Sequence, residues 1–359
     1  MEIEAVGAVL SGPNLSLGPK LPEFEQALAG YTGTKRAVAV NSGTSGLFLC
    51  LLAAGIGEGD EVITTPFTFI ASATTIMMAG ARPVFVDIDP ISLNIDPAKI
   101  ESVITDRTKA VLPVEVFGNP AGFDKVCDIA AKHNLEVIED SCEALGSTLN
   151  GKKAGTFGTM SVFAFYPNKQ ITTGEGGMIM TDNDRLADIC ISLRNQGRGE
   201  SGDWLGHERL GYNFRLSDIN CALGIAQLSR IEQIIAKRKQ VARWYQEMLA
   251  GDDRIIVPAE PEGCDISWFV FVVRLSDEFT PDDRNRVLEQ MKNNGIQVGN
   301  YFPPVHLQPF MVDKFGYKPG DFPVAESVSK RTIALPFYNN LTKDQAADVC
   351  STLNRVLDG

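Results

Sequence analysis

The sequence has no CxxC pair and no cysteine spacing that suits a metal. Its seven cysteines, Cys50, Cys127, Cys142, Cys190, Cys221, Cys264 and Cys350, are scattered and odd in number. That pattern offers no disulfide framework, and the expectation is of reduced thiols, most of them packed as small hydrophobic residues. No run of Lys or Arg is long enough to break the acidic balance of a formal net charge of -12, which argues against nucleic acid as a partner, because phosphates demand a basic patch. There is no apolar stretch long enough to cross a bilayer, and Met1 is followed by Glu2 and Glu4 rather than by a basic and apolar leader. A cytoplasmic protein without a membrane partner is therefore expected. Internal repeats and low-complexity segments are also missing. What is present is 359 residues, 44% hydrophobic and 22% charged, enough to bury a large core in two units and to bind a small soluble ligand.

Short β-branched runs alternate with helical patterns. AVAV (37–40), EVITT (61–65), PVFVD (83–87), KAVLPV (109–114) and EVIED (136–140) read as strands, with amphipathic segments such as 44–55 and 120–133 between them. This is the mark of βαβ units around a buried, mainly parallel sheet, which SVFAF (161–165) and GMIMT (177–181) extend. A long helical stretch follows over roughly 217–250, on which Lys237, Arg238 and Lys239 read as a solvated face. Beyond it the pattern is α+β: a strand at 268–275, a helix at 281–294, IALPF at 333–337 and a terminal helix. The expected division is a large unit over 1–245 and a smaller C-terminal unit over 246–359, with the boundary inside the helix.

Ligands of open α/β sheets bind beyond the carboxyl ends of the strands, so the chemistry is sought in the loops there. NSGTSG (41–46) follows the first strand and opens a helix. Its small residues let a phosphate approach backbone N–H groups at the positive end of the helix dipole, with Thr44 and Ser45 as hydroxyl donors. EVIED ends on Asp140, which sets a carboxylate at the edge of a central strand. FAFYPNKQITTGEGG (163–177) leads a strand into Lys169 and then into a glycine-rich turn. Apolar and aromatic neighbours there would desolvate the amine and favour an imine with an aldehyde.

A phosphate cup, a carboxylate and a lysine in that order match pyridoxal 5'-phosphate (PLP) enzymes of the aspartate aminotransferase fold. More narrowly, the chain resembles the DegT/DnrJ/EryC1/StrS family of sugar-nucleotide aminotransferases. The likeness runs through IEAVGAVLSGPNLSLGP, FEQALAGYTGTKRAVAVNSGTSGL, GEGDEVITTPFTF, GARPVFVDID, IEDSCEALGS, FYPNKQITTGEGG, GYNFRLSDINCALGIAQL and YFPPVHLQPF. It implies a fold type I PLP transferase: a large α/β domain with a mainly parallel sheet and a smaller C-terminal α+β domain. It also implies Lys169 as the Schiff-base lysine and proton shuttle, Asp140 as partner of the pyridine nitrogen, and Phe69 as a ring stacked on the cofactor. Gly43, Thr44 and Ser45 match the phosphate loop. Asn213, in GYNFR, matches a residue that reaches the phosphate from the other subunit, which implies a homodimer with shared sites; Arg215 beside it reads equally as a structural ion pair. Two departures stand out. Ala164 occupies the position, five before the lysine, where many relatives have a phosphate-binding serine, and the sequence starts almost at the first shared motif, without the short N-terminal segment of many relatives.

Glu143, three residues after Asp140, stands where relatives that aminate C3 of a sugar tend to have glutamine and those that aminate C4 tend to have glutamate or histidine. The resemblance therefore implies C4 amination, as in perosamine-type enzymes, with Glu143 beside the cofactor. Tyr301, His306 and Gln308 lie in a proline-rich loop that resembles the family's substrate-facing segment. The implied reaction takes an amino group from glutamate or glutamine and delivers it to a nucleotide-linked 4-keto-6-deoxy sugar. Four alternatives stay open: C3 amination of a 3-keto sugar, a sugar dehydratase of the same family, which would carry histidine in place of Lys169, a non-catalytic regulator, which would have lost Asp140 or Lys169, and another fold type I enzyme such as an amino-acid aminotransferase or a carbon-sulfur lyase, which an arginine dedicated to the substrate's carboxylate would favour.

Overall fold

The computed structural model describes residues 1–199 and 206–358. Its strands are β1 (Arg36–Val40), β2 (Glu61–Thr64), β3 (Arg82–Phe85), β4 (Thr108–Val111), β5 (Glu136–Asp140), β6 (Thr148–Leu149), β7 (Lys152–Lys153), β8 (Met160–Ala164), β9 (Gly177–Thr181), β10 (Ile255–Ile256), β11 (Cys264–Asp265), β12 (Phe271–Leu275) and β13 (Thr332–Leu335). Seven of them form one sheet in the order β1-β9-β8-β5-β4-β2-β3. Its pairs are parallel except at β9, which runs antiparallel to both β1 and β8. Strands β2, β8 and β9 are almost wholly buried, as expected of a sheet covered on both faces, where an alternating polar side would have no water to meet.

The expected strands fall within a few residues of the observed ones. The long helical stretch differs, for it is two helices, Asp218–Leu228 and Ile231–Leu249. The chain turns between them at Ser229 and Arg230, and the Ser229 hydroxyl bonds back to the Ala226 carbonyl. A serine that offers its own hydroxyl to the backbone competes with helix continuation.

The second helix joins two apolar cores. Ile231, Ile234 and Ile235 pack with Phe163, Phe165 and Met178 of the large sheet. Val241, Ala242, Tyr245 and Leu249 pack with Phe271, Val273 and Leu353 beside the three-stranded sheet β10-β12-β13. A further small sheet, β11-β6-β7, ties the chain after residue 260 back to the segment that follows β5. Strands β1, β2, β5 and β8 all present their carboxyl ends on the same side, and loops from each of them close around one cavity.

Candidate active site

At the end of β1, Ser42 is the N-cap of the helix Gly43–Ala53, accepting from the Ser45 N–H at 3.0 Å. The Ser45 hydroxyl donates to the Asn41 side chain at 2.6 Å, so of the three residues expected in the phosphate loop, Gly43 and Thr44 line the cavity and Ser45 does not. A Cβ added to Gly43 would stand 2.8 Å from Cys142 Sγ and 3.0 Å from Ala164 Cβ. At Gly177 an added Cβ would come within 2.7 Å of the Ser42 carbonyl. Only glycine admits such an approach, which leaves the first amides of the helix open to an anion in the cavity.

Asp140 ends β5 and is 5% exposed. Its carboxylate accepts from the Ser72 hydroxyl at 2.7 Å and from the Cys142 N–H at 3.3 Å. Ser72 is in turn 2.9 Å from the Thr68 hydroxyl, so the helix Ala71–Met78 orients the acid from across the cavity. Glu139, one residue earlier, faces the other side of the sheet, since successive strand residues alternate. There it accepts from Gly155 and Gly158 N–H groups, and burial pushes its carboxyl up to about 7. Of two adjacent acids, only Asp140 reaches the cavity.

Lys169 lies in the turn after β8, its side chain 13% exposed. Nζ stands 3.4 Å from a Glu143 carboxylate oxygen and 3.9 Å from the centroid of the Phe269 ring. The other Glu143 oxygen accepts from the Phe117 N–H at 2.9 Å. Burial, the largest influence, pushes the Glu143 carboxyl above the ordinary carboxylate range against the opposing pull of Lys169 and Phe117. Gln170 donates to the Glu143 carbonyl at 2.6 Å and to the Ser267 hydroxyl at 2.8 Å, which fixes the lysine turn against the residues that precede Phe269.

The cavity has a volume of about 440 Å³, and Thr44, Phe69, Asp140, Glu143, Lys169 and Tyr301 all lie on its wall. Phe69 is 60% exposed at the mouth. Tyr301 stands within the aromatic group of Phe117, Phe269 and Phe302, and burial raises its hydroxyl from the ordinary phenol range. His306 and Gln308 are elsewhere. His306 is wholly buried, 3.2 Å from the Glu326 carboxylate and boxed by Phe85, Tyr317 and Phe322. Gln308 is the N-cap of the helix Pro309–Phe315. The proline-rich loop thus sends Tyr301 to the cavity and turns His306 into a packing interface. Asn213 is exposed, bridged to Asn195, and absent from its own chain's cavity wall. Arg215 donates to the Asn195 side chain at 3.1 Å.

Sequence reasoning missed Ser72, Cys142, Phe269 and Arg238. Arg238 corrects the reading of the KRK run as solvated: it is 4% exposed, and its guanidinium donates to the carbonyls of Trp268, Phe269 and Lys169. The run itself holds a signal that could have been used. Residues about 100° apart on a helix cannot all face water when the opposite face is apolar.

The residues fit the group implied by the sequence. A flat, phosphate-bearing aldehyde needs a small-residue anion cup, an acid for its ring nitrogen, an aromatic wall and a sheltered amine. Gly43 and Thr44, Asp140, Phe69 and Lys169 answer those needs in one cavity.

Residues 1–354 match the DegT/DnrJ/EryC1/StrS aminotransferase family. The chain is 40% identical to a GDP-perosamine synthase of Caulobacter vibrioides over 344 residues, covering 95% of this chain and 91% of the relative. It is 38% identical to the spore coat polysaccharide biosynthesis protein SpsC of Bacillus subtilis, covering 100% and 95%. The crystal structure of S. venezuelae DesV in complex with a ketimine intermediate superimposes with a TM-score of 0.92 at 34% identity, over 99% of this chain and 93% of that one.

Proposed function

The chain belongs to the DegT/DnrJ/EryC1/StrS aminotransferase family, and we propose that within it this enzyme carries an amino group from glutamate to C4 of a nucleotide-linked 4-keto-6-deoxy sugar. The family, the fold type I transferase architecture, the PLP cofactor and a role as a sugar aminotransferase in nucleotide-sugar or polysaccharide biosynthesis are common to the chain and its relatives. No helix among the described residues is long and apolar enough to cross a membrane. The donor, the sugar position and the residue roles are our reading.

The observation that carries it is the placement of Lys169 Nζ 3.4 Å from Glu143 in the cavity that Asp140 also lines. PLP, when bound, supplies an aldehyde that takes up the amino group and a ring that draws electrons away from the reacting carbon. In this reading Asp140, held by Ser72, keeps a proton on the ring nitrogen. Gly43 and Thr44 hold the phosphate, and Phe69 covers one face of the ring. Lys169 Nζ anchors the cofactor and, once released, moves a proton between the carbon that gives up the amine and the carbon that receives it. Glu143 is suited to accept a proton from Nζ at that moment, since burial already favours its protonated form. Tyr301, on the wall next to Glu143, faces the sugar. Asn213 reaches the phosphate of a second copy, which makes the working unit a homodimer.

Support for C4 is the glutamate at position 143 and the 40% identity to a GDP-perosamine synthase. A panel of nucleotide-linked 4-keto and 3-keto sugars incubated with glutamate, with the new amine located by NMR, tests the proposal. Amination at C4 is expected. Amination at C3, or exchange between amino acids with no sugar converted, would overturn it.

A further inference from the structure

Arg238 sits in the middle of the helix Ile231–Leu249, 4% exposed, and its contacts among the described residues are backbone carbonyls and an aromatic ring. Nη1 donates to the carbonyls of Trp268 at 3.2 Å and Phe269 at 3.1 Å, and Nη2 donates to the carbonyl of Lys169 at 3.0 Å. The guanidinium lies 5.6 Å from the Phe337 ring centroid, and Nε has no hydrogen-bond partner among the described residues. Burial alone lowers its pKa to about 10, with no neighbouring carboxylate to counter the push among the described residues. A guanidinium removed from water without an anion is a stability liability, so its presence here calls for a use other than stability.

The three carbonyls supply one. They belong to two chain segments about 100 residues apart, one bearing the lysine amine and the other bearing the ring against which that amine rests. Residue 268 has φ of +54°, a left-handed conformation disfavoured for tryptophan, and the same guanidinium holds its carbonyl. The Gln170 bond to Ser267 ties the two segments again, one residue after Lys169 on one and one residue before Trp268 on the other. A planar fork with five donors can bridge such a set, whereas a lysine ammonium at the same place cannot reach all three.

We propose that Arg238 is a positioning residue for the transfer: by clamping the main chain of Lys169 to that of Phe269, it fixes where the lysine amine stands in the cavity. The inference rests on Lys169 as the residue that carries the cofactor. Arg238 is not on the wall of the cavity, so its effect passes through the amine's position and through the Phe269 ring beneath it.

The test uses the full-length protein loaded with PLP, with Arg238→Lys, Arg238→Gln, Phe269→Leu and the double variant R238K/F269L. Borohydride reduction and peptide mapping of the parent come first; a label on any residue other than Lys169 strikes at the proposed function and not at this clamp. With the label on Lys169, Arg238→Lys is expected to lower kcat at least about tenfold while KM for the sugar nucleotide stays within about threefold, the signature of a misplaced reacting group. The pH midpoint of the bound cofactor's visible absorption should move by about half a unit or more, because the surroundings of the attached nitrogen change. Arg238→Gln should show the same shift, and the double variant should lose no more than about twofold beyond the worse single variant, since both changes act along one path. A lower melting temperature with parental kcat and absorption midpoint would reduce Arg238 to a structural role and overturn the proposal. So would fully additive losses in the double variant. If the Arg238 variants do not fold, Phe269→Leu decides alone: a parental midpoint and kcat overturn the clamp, and a shift in both sustains it.

Discussion

Lys169 with Glu143 and His306 with Glu326 are pairs of the same kind, a base and a carboxylate 3.4 Å and 3.2 Å apart, with no side chain of the four more than 13% exposed. Their surroundings differ. Beside the first pair is an open volume of about 440 Å³ whose wall also bears Asp140 and Tyr301. The second is sealed: rings of Phe85, Tyr317 and Phe322 enclose His306, and Glu326 already accepts from the Gly320 and Phe322 N–H groups. Burial and pairing are therefore no guide to chemistry by themselves. Room for a ligand beside the pair is what separates a reactive base from a packed one.

The largest test of that contrast is at the bases themselves. Lys169→Ala should reduce turnover by at least about a thousandfold, because the amine proposed to anchor the cofactor and move the proton would have no substitute, whereas His306→Gln should leave turnover per folded molecule within about twofold of the parent. Comparable losses in both would erase the distinction. Next in size, Asp140→Asn should lower kcat by about a hundredfold, the order expected when one charged partner is withdrawn from a buried reacting centre. A smaller effect belongs to the sealed pair and should register only in stability. His306→Ala is expected to reduce the unfolding free energy by about 2 kcal/mol in urea titrations, through an unfilled space among rings and a lost partner for Glu326.

The smallest is a pH dependence. Burial, the largest influence, holds His306 below its usual 6.5 in the fold. The unfolded chain therefore takes up a proton that the folded protein refuses, and the stability from this group is present above about 6.5 and declines as pH falls below it. Urea midpoints at pH 8 and pH 5 should accordingly lie closer together in His306→Gln than in the parent. An unchanged gap would mean that the histidine is not the group that titrates.

The same contrast marks how far the sequence could be read. Strand positions were legible because period and β-branching are local, and the places of NSGTSG, Asp140 and Lys169 were legible because each lies at or just beyond the carboxyl end of a strand. Even the choice of Asp140 over Glu139 follows from alternation along β5 once its last residue is known. His306 could not be placed, because its loop resembles a substrate-facing segment throughout and the turn inward depends on rings from residues 85, 317 and 322. Arg238 was read outward because its acceptors, at 169 and 268–269, are far away in sequence and leave no periodic trace. The break at Ser229 was invisible in a stretch whose helical pattern continues on both sides of it.

One helix, Ile231–Leu249, begins among the side chains of the large sheet and finishes among those of the small one. Anyone building chimaeras by exchanging the C-terminal third with that of a relative would meet this directly. A junction at residue 245 severs a rod whose two ends are grouted into different walls, and the graft would need matched isoleucines upstream as well as matched aromatics downstream. Splicing at the Ser229–Arg230 corner instead would carry the rod across whole, with the arginine at 238 still attached to it.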